Sequence, residues 1–206
     1  MNKNFLIDKK SENVYFLPLG GSGEIGMNLN LYGYQNKWLI IDCGVSFRDS
    51  NIIGADVFMP NIDAITENKL NICGMFITHA HEDHIGGVHH LWPFIKCPIF
   101  TTPFSGFLLK QRLIDAGLYD AVNLTLVQKE SKFKIGPFNL ELINISHSIL
   151  ESNSVMLSVG NKKIFHTGDW KIDEDPTIGN KPNSKRLKEL GKSGVTAMVC
   201  DSTNAN

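Results

Sequence analysis

An apolar run that ends in a dense polar cluster constrains the fold of this chain more than any other segment. Residues 72–78, ICGMFIT, have the composition of a buried strand. They lead directly into HAHEDH, which carries His79, His81, Asp83 and His84. Side chains that follow a strand can converge at the edge of a sheet, where sites are commonly built. The cluster therefore predicts a sheet whose edge carries a functional site.

The spacing of these four residues favours metal ligation. His79 and His81 are two positions apart and can point to the same side of an extended segment, whereas Asp83 and His84 are expected to start a helix. Two metal ions about 3.5–4 Å apart could share such a loop if further ligands came from elsewhere. Nitrogen and carboxylate ligands without thiolate suit Zn²⁺, and Mn²⁺ is a second possibility.

Three more residues at predicted strand ends are candidates for the same site. His147 lies in ISHSI and Asp169 in HTGDW, each next to a predicted strand. Because a carboxylate has two oxygens, Asp169 could bridge two ions. Asp42 also ends a predicted strand and could hold a ligand histidine by hydrogen bonding. Taken alone, His147 could equally be an ordinary core or surface histidine and Asp169 a turn residue.

The remaining histidines and the basic residues have simpler interpretations. His89 and His90 fall one turn or more into a predicted helix, and we expect them to be exposed or packed rather than liganded. We expect His166 to be a buried strand residue close to the site. The solvated face of a late helix accounts for five basic residues: Lys181, Lys185, Arg186, Lys188 and Lys192.

Composition limits the classes of protein to consider. The 206 residues are 42% apolar, enough for a real core, and the formal charge of −1 gives no global basic field for nucleic acid. No apolar run approaches the roughly 20 residues of a membrane span, and the N-terminus lacks the apolar core of a signal peptide. We expect a cytoplasmic protein without membrane association. Its four separated cysteines, with no CxxC pair, are expected to be buried free thiols.

The order of strand and helix patterns favours a layered α/β sandwich over a doubly wound parallel sheet. Residues 43–60 are expected to form a long loop. Helices are predicted within 61–69, from 86 to 92, from 103 to 117 and from 184 to 192. Strands are predicted at 14–19, 27–34, 37–42, 72–78 and 98–102, near 122–128, at 138–145, 153–159 and 163–167, and at 195–201.

One glycine motif imitates a dinucleotide-binding fingerprint. Gly21, Gly23 and Gly26 spell G-x-G-x-x-G after a predicted strand, and Asp42 follows at a suitable distance. That fingerprint needs a helix directly after the glycines, whose N-terminus meets the pyrophosphate. Here the next residues alternate with a period of two, so the glycines are expected to form a tight turn between strands, near a site that a backbone or ligand approaches closely.

Taken together, these motifs resemble a known family. The segment HAHEDH after a buried strand resembles the metallo-β-lactamase superfamily, and the other motifs are similar to the ribonuclease J family of its β-CASP branch. The resemblance implies an α/β fold, an incomplete αββα sandwich in which residues 1–206 form the N-terminal part of the domain and end where a β-CASP domain would begin. The motifs are PLGGSGEIGMN, FITHAHEDHIGG, TTPFSGFLLKQRL, SHSI, HTGDWK and CDSTNA.

The resemblance also implies an activity and a division of the ligands. RNA would be cleaved both from the 5′ end and internally, by a hydroxide that two Zn²⁺ ions, or Mn²⁺ ions, generate. One ion would be held by His79, His81 and His147. The other would be held by Asp83 and His84, with Asp169 bridging, and these last three residues would act directly in catalysis.

The same resemblance shows that one metal ligand of the family is missing from this sequence. The family has a further ligand histidine downstream, whereas this sequence has no histidine after His166. We therefore expect a fragment or truncated product that binds metal weakly and cleaves RNA poorly, from a parent that forms homo-oligomers. Two alternatives remain. One is a small-molecule hydrolase of the lactonase or thioesterase type, which would need a complete ligand set, and the other is a non-catalytic module that docks RNA or protein.

Overall fold

The chain forms two stacked β-sheets with helices on both outer faces. The computed structural model describes residues 8–47, 54 and 56–203, and the structural statements below concern those residues. The four-layer order confirms the predicted αββα sandwich. Among the described helices, none has both the length and the apolar character needed to cross a bilayer.

All ten predicted strands are present. Two short strands lie within the loop predicted at 43–60, and one further strand that was not predicted, Lys132–Ile135, precedes the strand predicted at 138–145. The strands are β1 Tyr15–Gly20, β2 Leu29–Tyr34, β3 Lys37–Ile41, β4 Ser46–Phe47, β5 Val57–Phe58, β6 Ile72–Ile77, β7 Ile99–Thr101, β8 Leu124–Leu126, β9 Lys132–Ile135, β10 Phe138–Asn144, β11 Asn153–Val159, β12 Lys162–His166 and β13 Ala197–Val199.

The helices correspond to the predicted ones, with one correction. The helix predicted from residue 86 to 92 runs from Val88 to Ile95, and a separate short helix, Glu82–Ile85, contains Asp83 and His84, which were expected to start a helix. The 13-residue helix α4 begins with a proline at its first position, where a missing N–H costs nothing. The helices are α1 Asp63–Thr66, α2 Glu82–Ile85, α3 Val88–Ile95, α4 Pro103–Asp115 and α5 Ser184–Ser193, with a 3₁₀ turn at Tyr119–Ala121.

The two main sheets differ in strand direction. The first has the order β1-β2-β3-β6-β7-β8, antiparallel from β1 to β3 and parallel from β3 onward. The second has the order β13-β12-β11-β10-β9 and is antiparallel except for the β12–β13 pair. Strands β4 and β5 pair with each other as a separate two-stranded ribbon.

Alternating side chains divide the central strands between two cores. Leu29 and Leu31 of β2 belong to the core that the first sheet shares with the helices α1, α3 and α4. Tyr32 and Tyr34 of the same strand belong to the core between the sheets. Because both faces are covered, β2 is buried along its whole length. A smaller cluster that includes Leu190 lies between α5 and the outer face of the second sheet.

The glycine segment does not have the strand–turn–helix structure of the dinucleotide-binding fingerprint. Gly21, Gly23 and Gly26 have φ values of 82°, 79° and 93°, a region in which glycine carries no steric penalty. No helix follows them, since β2 starts at Leu29. The predicted turn between strands is therefore confirmed.

The predictions for cysteines and for the basic helix hold with exceptions. Cys43 and Cys97 are buried free thiols, but Cys73 is only partly buried and Cys200 is exposed. The four lysines of the basic run are exposed, but Lys181 precedes α5 and is not part of the predicted helix face. Arg186 instead is partly buried, and its Nη2 donates to Glu141 Oε2 on β10 at 2.9 Å, because a guanidinium fork matches a carboxylate. This contact fixes α5 to the second sheet.

Substitution of Phe138 tests how much the core between the sheets contributes to stability. Its side chain is 0% exposed. We expect Phe138→Ala to lower the free energy of unfolding by about 3–5 kcal/mol, because a large buried side chain is removed and a cavity remains. Urea unfolding followed by circular dichroism measures the change. The matched control is Phe107→Ala, at a side chain that is 71% exposed on α4, which should change stability by less than about 0.5 kcal/mol.

Candidate metal centre

Strand direction brings the predicted ligands from both sheets to one edge of the sandwich. In the first sheet, β3 and β6 are parallel neighbours, with Ile41 opposite Phe76, so that Asp42 and the segment from Thr78 leave the sheet side by side. In the second sheet, β10 and β12 both run antiparallel to β11 and hence in the same direction. The segments that follow them carry His147 and Asp169.

Backbone hydrogen bonds hold the ligand-bearing helix α2 against the segment that follows β3. The N–H of Cys43 donates to the carbonyl of His84 at 2.8 Å. The N–H of Val45 donates to the carbonyl of Glu82 at 3.0 Å. Two neighbouring predicted ligands, Asp83 and His84, are therefore positioned by main-chain contacts that do not depend on their own side chains.

The close approach of α2 to the segment after β3 requires a glycine at position 44. A Cβ atom there would lie 1.7 Å from the carbonyl oxygen of Asp83, far inside van der Waals contact. Asn28 completes the arrangement, because its N–H donates to the Asp83 carbonyl at 2.9 Å and its own carbonyl accepts from the N–H of Gly44 at 2.9 Å. The short stretch from the glycine turn to β2 thus forms part of the site.

Four side chains form a first cluster. His81 Nδ1 lies 3.2 Å from His79 Nε2 and 3.0 Å from His147 Nε2. Asp169 Oδ2 lies 3.4 Å from His147 Nε2 and 3.9 Å from His79 Nε2. Ligand atoms around a tetrahedral Zn²⁺ with bonds of 2.0–2.1 Å are about 3.3 Å apart. The separations in this cluster therefore fit a single cation at its centre.

A second cluster shares Asp169 with the first. Its other carboxylate oxygen, Oδ1, lies 3.1 Å from His84 Nε2, and Asp83 Oδ2 lies 3.5 Å from the same nitrogen. Within each cluster one ligand atom per residue lies within 4.8 Å of all the others. The structure thus brings all six predicted ligands together, and each oxygen of Asp169 faces a different cluster.

Asp42 orients His84 from behind. The carboxylate is completely buried, and its Oδ2 lies 2.8 Å from Nδ1 of His84. A carboxylate accepts hydrogen bonds, so Nδ1 carries the hydrogen and Nε2 points into the second cluster. This contact has the geometry that the sequence predicts for Asp42, and outer hydrogen bonds of this kind fix the ring of a ligating histidine.

Burial and neighbouring charges set the protonation of the ligands. Burial lowers the pKa of His79 well below its usual value and lowers that of His81, so both rings are neutral at pH 7. Burial opposes ionisation of Asp169, but hydrogen bonds with His147 and His84 outweigh it and hold its pKa well below the usual value. Neutral imidazoles and an ionised carboxylate are the protonation states in which these groups bind cations.

His84 differs from the other histidines. Burial lowers its pKa, yet the charge of Asp42 and the contact with Asp169 raise it to about 10. In the absence of metal, this raised pKa favours the protonated ring of His84, whose charge would balance the two carboxylates. A metal ion at Nε2 has to displace a proton, so binding to the second cluster should weaken as the pH falls.

An open cleft of about 460 Å³ runs from the second cluster to the glycine turn. Asp83, His84 and Asp169 lie on its wall, which places the second cluster in contact with solvent. His166 also lines it, and its Nδ1 lies 2.9 Å from the Tyr32 hydroxyl. The prediction that His166 is a buried strand residue near the site is confirmed.

The structure separates the other candidates from the site and adds one residue. His89 is partly buried and His90 is exposed, and neither belongs to either cluster, as predicted. The sequence analysis missed Asn28, whose side-chain amide lies 3.1 Å from His84 Nε2. Its position directly after the glycine turn, in a segment expected to lie near a site, was the available signal.

Comparison with known proteins agrees with this geometry. The model of the beta-lactamase superfamily domain matches residues 37–183, about seven tenths of the chain. The chain belongs to the beta-lactamase superfamily. Among solved structures, the metallo-beta-lactamase fold protein YhfI from Bacillus subtilis is similar with a TM-score of 0.53 and 14% identity, over 77% of this chain and 63% of that one. At this identity the likeness shows the fold alone.

Curated relatives are more similar in sequence. Ribonuclease J of Sinorhizobium meliloti is 38% identical over 200 residues, which cover 95% of this chain and 36% of the relative. Ribonuclease J of Helicobacter pylori is 34% identical over 208 residues, which cover 100% of this chain and 30% of the relative. The predicted resemblance to the ribonuclease J family is confirmed. The chain spans about a third of the length of these relatives.

Removing shared and unshared ligands tests the division into two clusters. We expect Asp169→Ala to weaken both Zn²⁺ sites and His147→Ala to weaken only the first, each by more than about 100-fold, because direct ligands matter more than the outer partners that already contribute 10–100-fold. Titration of Zn²⁺ against a chromophoric chelator measures each step. The control is His90→Ala, at an exposed histidine outside both clusters. Unchanged binding in Asp169→Ala would contradict the shared ligand.

A salt bridge between Glu82 and Arg112 connects α2 to α4, with Arg112 Nη1 donating to Glu82 Oε2 at 2.8 Å. This hydrogen bond lowers the pKa of Glu82 against a smaller opposing effect of burial. A lowered folded pKa stabilises the protein above the unfolded pKa of about 4.3, and the contribution is lost as the pH falls through the folded value.

We therefore expect Glu82→Gln to lower the free energy of unfolding of the metal-free protein at pH 7. Because both side chains are partly exposed, the loss should not exceed about 1 kcal/mol. At about pH 2 the variant and the wild type should be equally stable, since the glutamate is then protonated. Urea unfolding at both pH values measures this, with Glu67→Gln at an exposed position as the control. A loss of the same size at both pH values would show that the charge is not its cause.

Proposed function

We propose that this chain carries the metal centre of a hydrolase that cleaves RNA phosphodiester bonds. The observation that carries the proposal is the pair of clusters joined by Asp169, which opens into a cleft. The similarity to ribonuclease J proteins supports RNA as the substrate class. By the same similarity we propose both cleavage from the 5′ end and internal cleavage, with Zn²⁺ or Mn²⁺ as the cations.

The side chains supply the conditions that such a reaction needs. Cations bound here would provide a nucleophile from water at neutral pH and would neutralise charge on the phosphate. The neutral rings of His79 and His81 and the ionised Asp169 are ready to bind without prior proton loss. Asp42 keeps the ring of His84 fixed, so little reorientation is required. The open side of the second cluster gives a phosphate group access to the site.

The two clusters are unequal. The first offers four ligating residues and the second three, within the described part of the chain. The second also requires a proton to leave His84. We therefore propose that the isolated chain holds its second cation weakly and hydrolyses RNA slowly.

An RNA cleavage assay on the purified chain tests this function. A fluorescently labelled single-stranded RNA is incubated with the chain and either Zn²⁺ or Mn²⁺. We expect slow cleavage that EDTA and Asp83→Ala abolish, because both remove the second cation. His90→Ala should cleave as the wild type does, and ribonuclease J of Sinorhizobium meliloti serves as the full-length reference.

The other outcomes distinguish the alternatives. Hydrolysis of a lactone or a thioester without RNA cleavage would favour a small-molecule hydrolase, for which a cleft of about 460 Å³ is large enough. RNA binding without any metal-dependent hydrolysis would favour a docking module. Cleavage as fast as that of the full-length reference would refute the proposed weakness of the isolated chain.

A further inference from the structure

Thr78 connects the buried carboxylate of Asp42 to a second ligand histidine. The threonine lies between the end of β6 and His79 and is completely buried. Its hydroxyl Oγ1 lies 2.9 Å from Asp42 Oδ2 and 3.0 Å from His79 Nδ1. His79 is thus linked to Asp42 through one hydroxyl group, whereas His84 contacts the same carboxylate oxygen directly.

The number of hydrogens decides the direction of these bonds. A hydroxyl has a single hydrogen to donate, and an ionised carboxylate can only accept. The hydrogen of Thr78 therefore lies toward Asp42. Its oxygen can then only accept from His79, so that His79 carries its hydrogen on Nδ1 and leaves the Nε2 lone pair facing the first cluster.

The threonine is held in place from both sheets. Its backbone N–H donates to Asp42 Oδ1 at 2.7 Å, so that the carboxylate contacts both the main chain and the side chain of this residue. Its carbonyl accepts from Nδ2 of Asn153, at the start of β11 in the second sheet, at 3.0 Å. The hydroxyl is therefore not free to turn toward another partner.

We propose that Thr78 is a positioning residue that fixes the tautomer of His79, and that through it Asp42 prepares one histidine in each metal cluster. The inference rests on the proposed metal centre. It predicts an asymmetry: loss of the Thr78 hydroxyl disturbs only the first cluster, whereas loss of the Asp42 carboxylate disturbs both. If Thr78 only filled space between the strand and the ligand loop, its substitution would produce no such asymmetry.

The wild-type protein without metal provides the first test. Long-range ¹H–¹⁵N correlation spectra of the labelled chain at about pH 7.5 distinguish the two neutral tautomers of a histidine, since burial keeps the pKa of His79 far lower than that. The signal of His79 is assigned by its loss in His79→Gln. We expect hydrogen on Nδ1, and hydrogen on Nε2 would overturn the proposal.

Three variants provide the second test. Thr78→Val keeps the shape but removes the hydroxyl, Thr78→Ser keeps the hydroxyl, and Asp42→Asn removes the charge. We expect Thr78→Val to weaken Zn²⁺ binding at the first cluster about 10–100-fold with the second cluster unchanged. Thr78→Ser should restore binding to within about threefold of the wild type, and Asp42→Asn should weaken both steps. Circular dichroism and urea unfolding establish that each variant is folded.

The outcomes separate this proposal from the proposed function. If the wild type binds no Zn²⁺, the metal centre is wrong, while the tautomer of His79 still decides the role of Thr78. If Thr78→Val is folded and binds Zn²⁺ as the wild type does, Thr78 does not position His79. If Thr78→Val does not fold, the ¹⁵N spectra of the wild type and of Thr78→Ser decide, because both must show hydrogen on Nδ1.

Discussion

The close packing of Gly44 against the carbonyl of Asp83 is the constraint on which the candidate metal centre depends. The two segments approach so closely that no side chain fits between them. Main-chain hydrogen bonds from Cys43 and Val45 then fix the helix that bears the ligands. Since these bonds use backbone atoms, the ligand side chains remain free to face the cleft. The second cluster is therefore built on a rigid support before any cation binds.

Two carboxylates with different environments organise the rest of the site. Asp42 is completely buried and acts only through hydrogen bonds to groups behind the ligands. Asp169 is partly exposed and directs one oxygen to each cluster. Buried carboxylates are costly unless they are fully paired. The pairing of Asp42 with a histidine ring, a hydroxyl and a backbone N–H meets that requirement and orders the ligands at the same time.

Sequence patterns predicted those parts of the structure that depend on local regularity. The strand that ends in the histidine cluster and the strand ends at His147 and Asp169 follow from periodicity and spacing. The order of the elements favoured a layered α/β architecture, whereas the αββα arrangement was implied by the family resemblance. The two-residue strands β4 and β5 could not be predicted, because so few residues carry no period. The four-residue strand β9 was missed because two of its residues, Lys132 and Lys134, are of a type that is depleted in strands.

Contacts between distant residues were the other limit. Asn28 is 55 positions away from Asp83, and only the folded chain shows that its amide meets the second cluster. The exposure of Cys200 depends on the course of β13 at the border of its sheet, which the cysteine spacing does not encode. Arg186 resembled any other basic residue of a surface helix until its pairing with Glu141 was visible.

The predicted ligands come from both sheets, and this has a consequence for the stability of the fold. His81 and His147 are 66 positions apart in the chain, and one cation would tie them together across the sandwich. Such a cross-link closes a long loop that the unfolded chain leaves open, and a cation that prefers the folded state adds its binding free energy to the stability of the fold. A bound cation would therefore hold the two halves of the sandwich together at this rim, and removing it should loosen the β-sandwich from the rim inward.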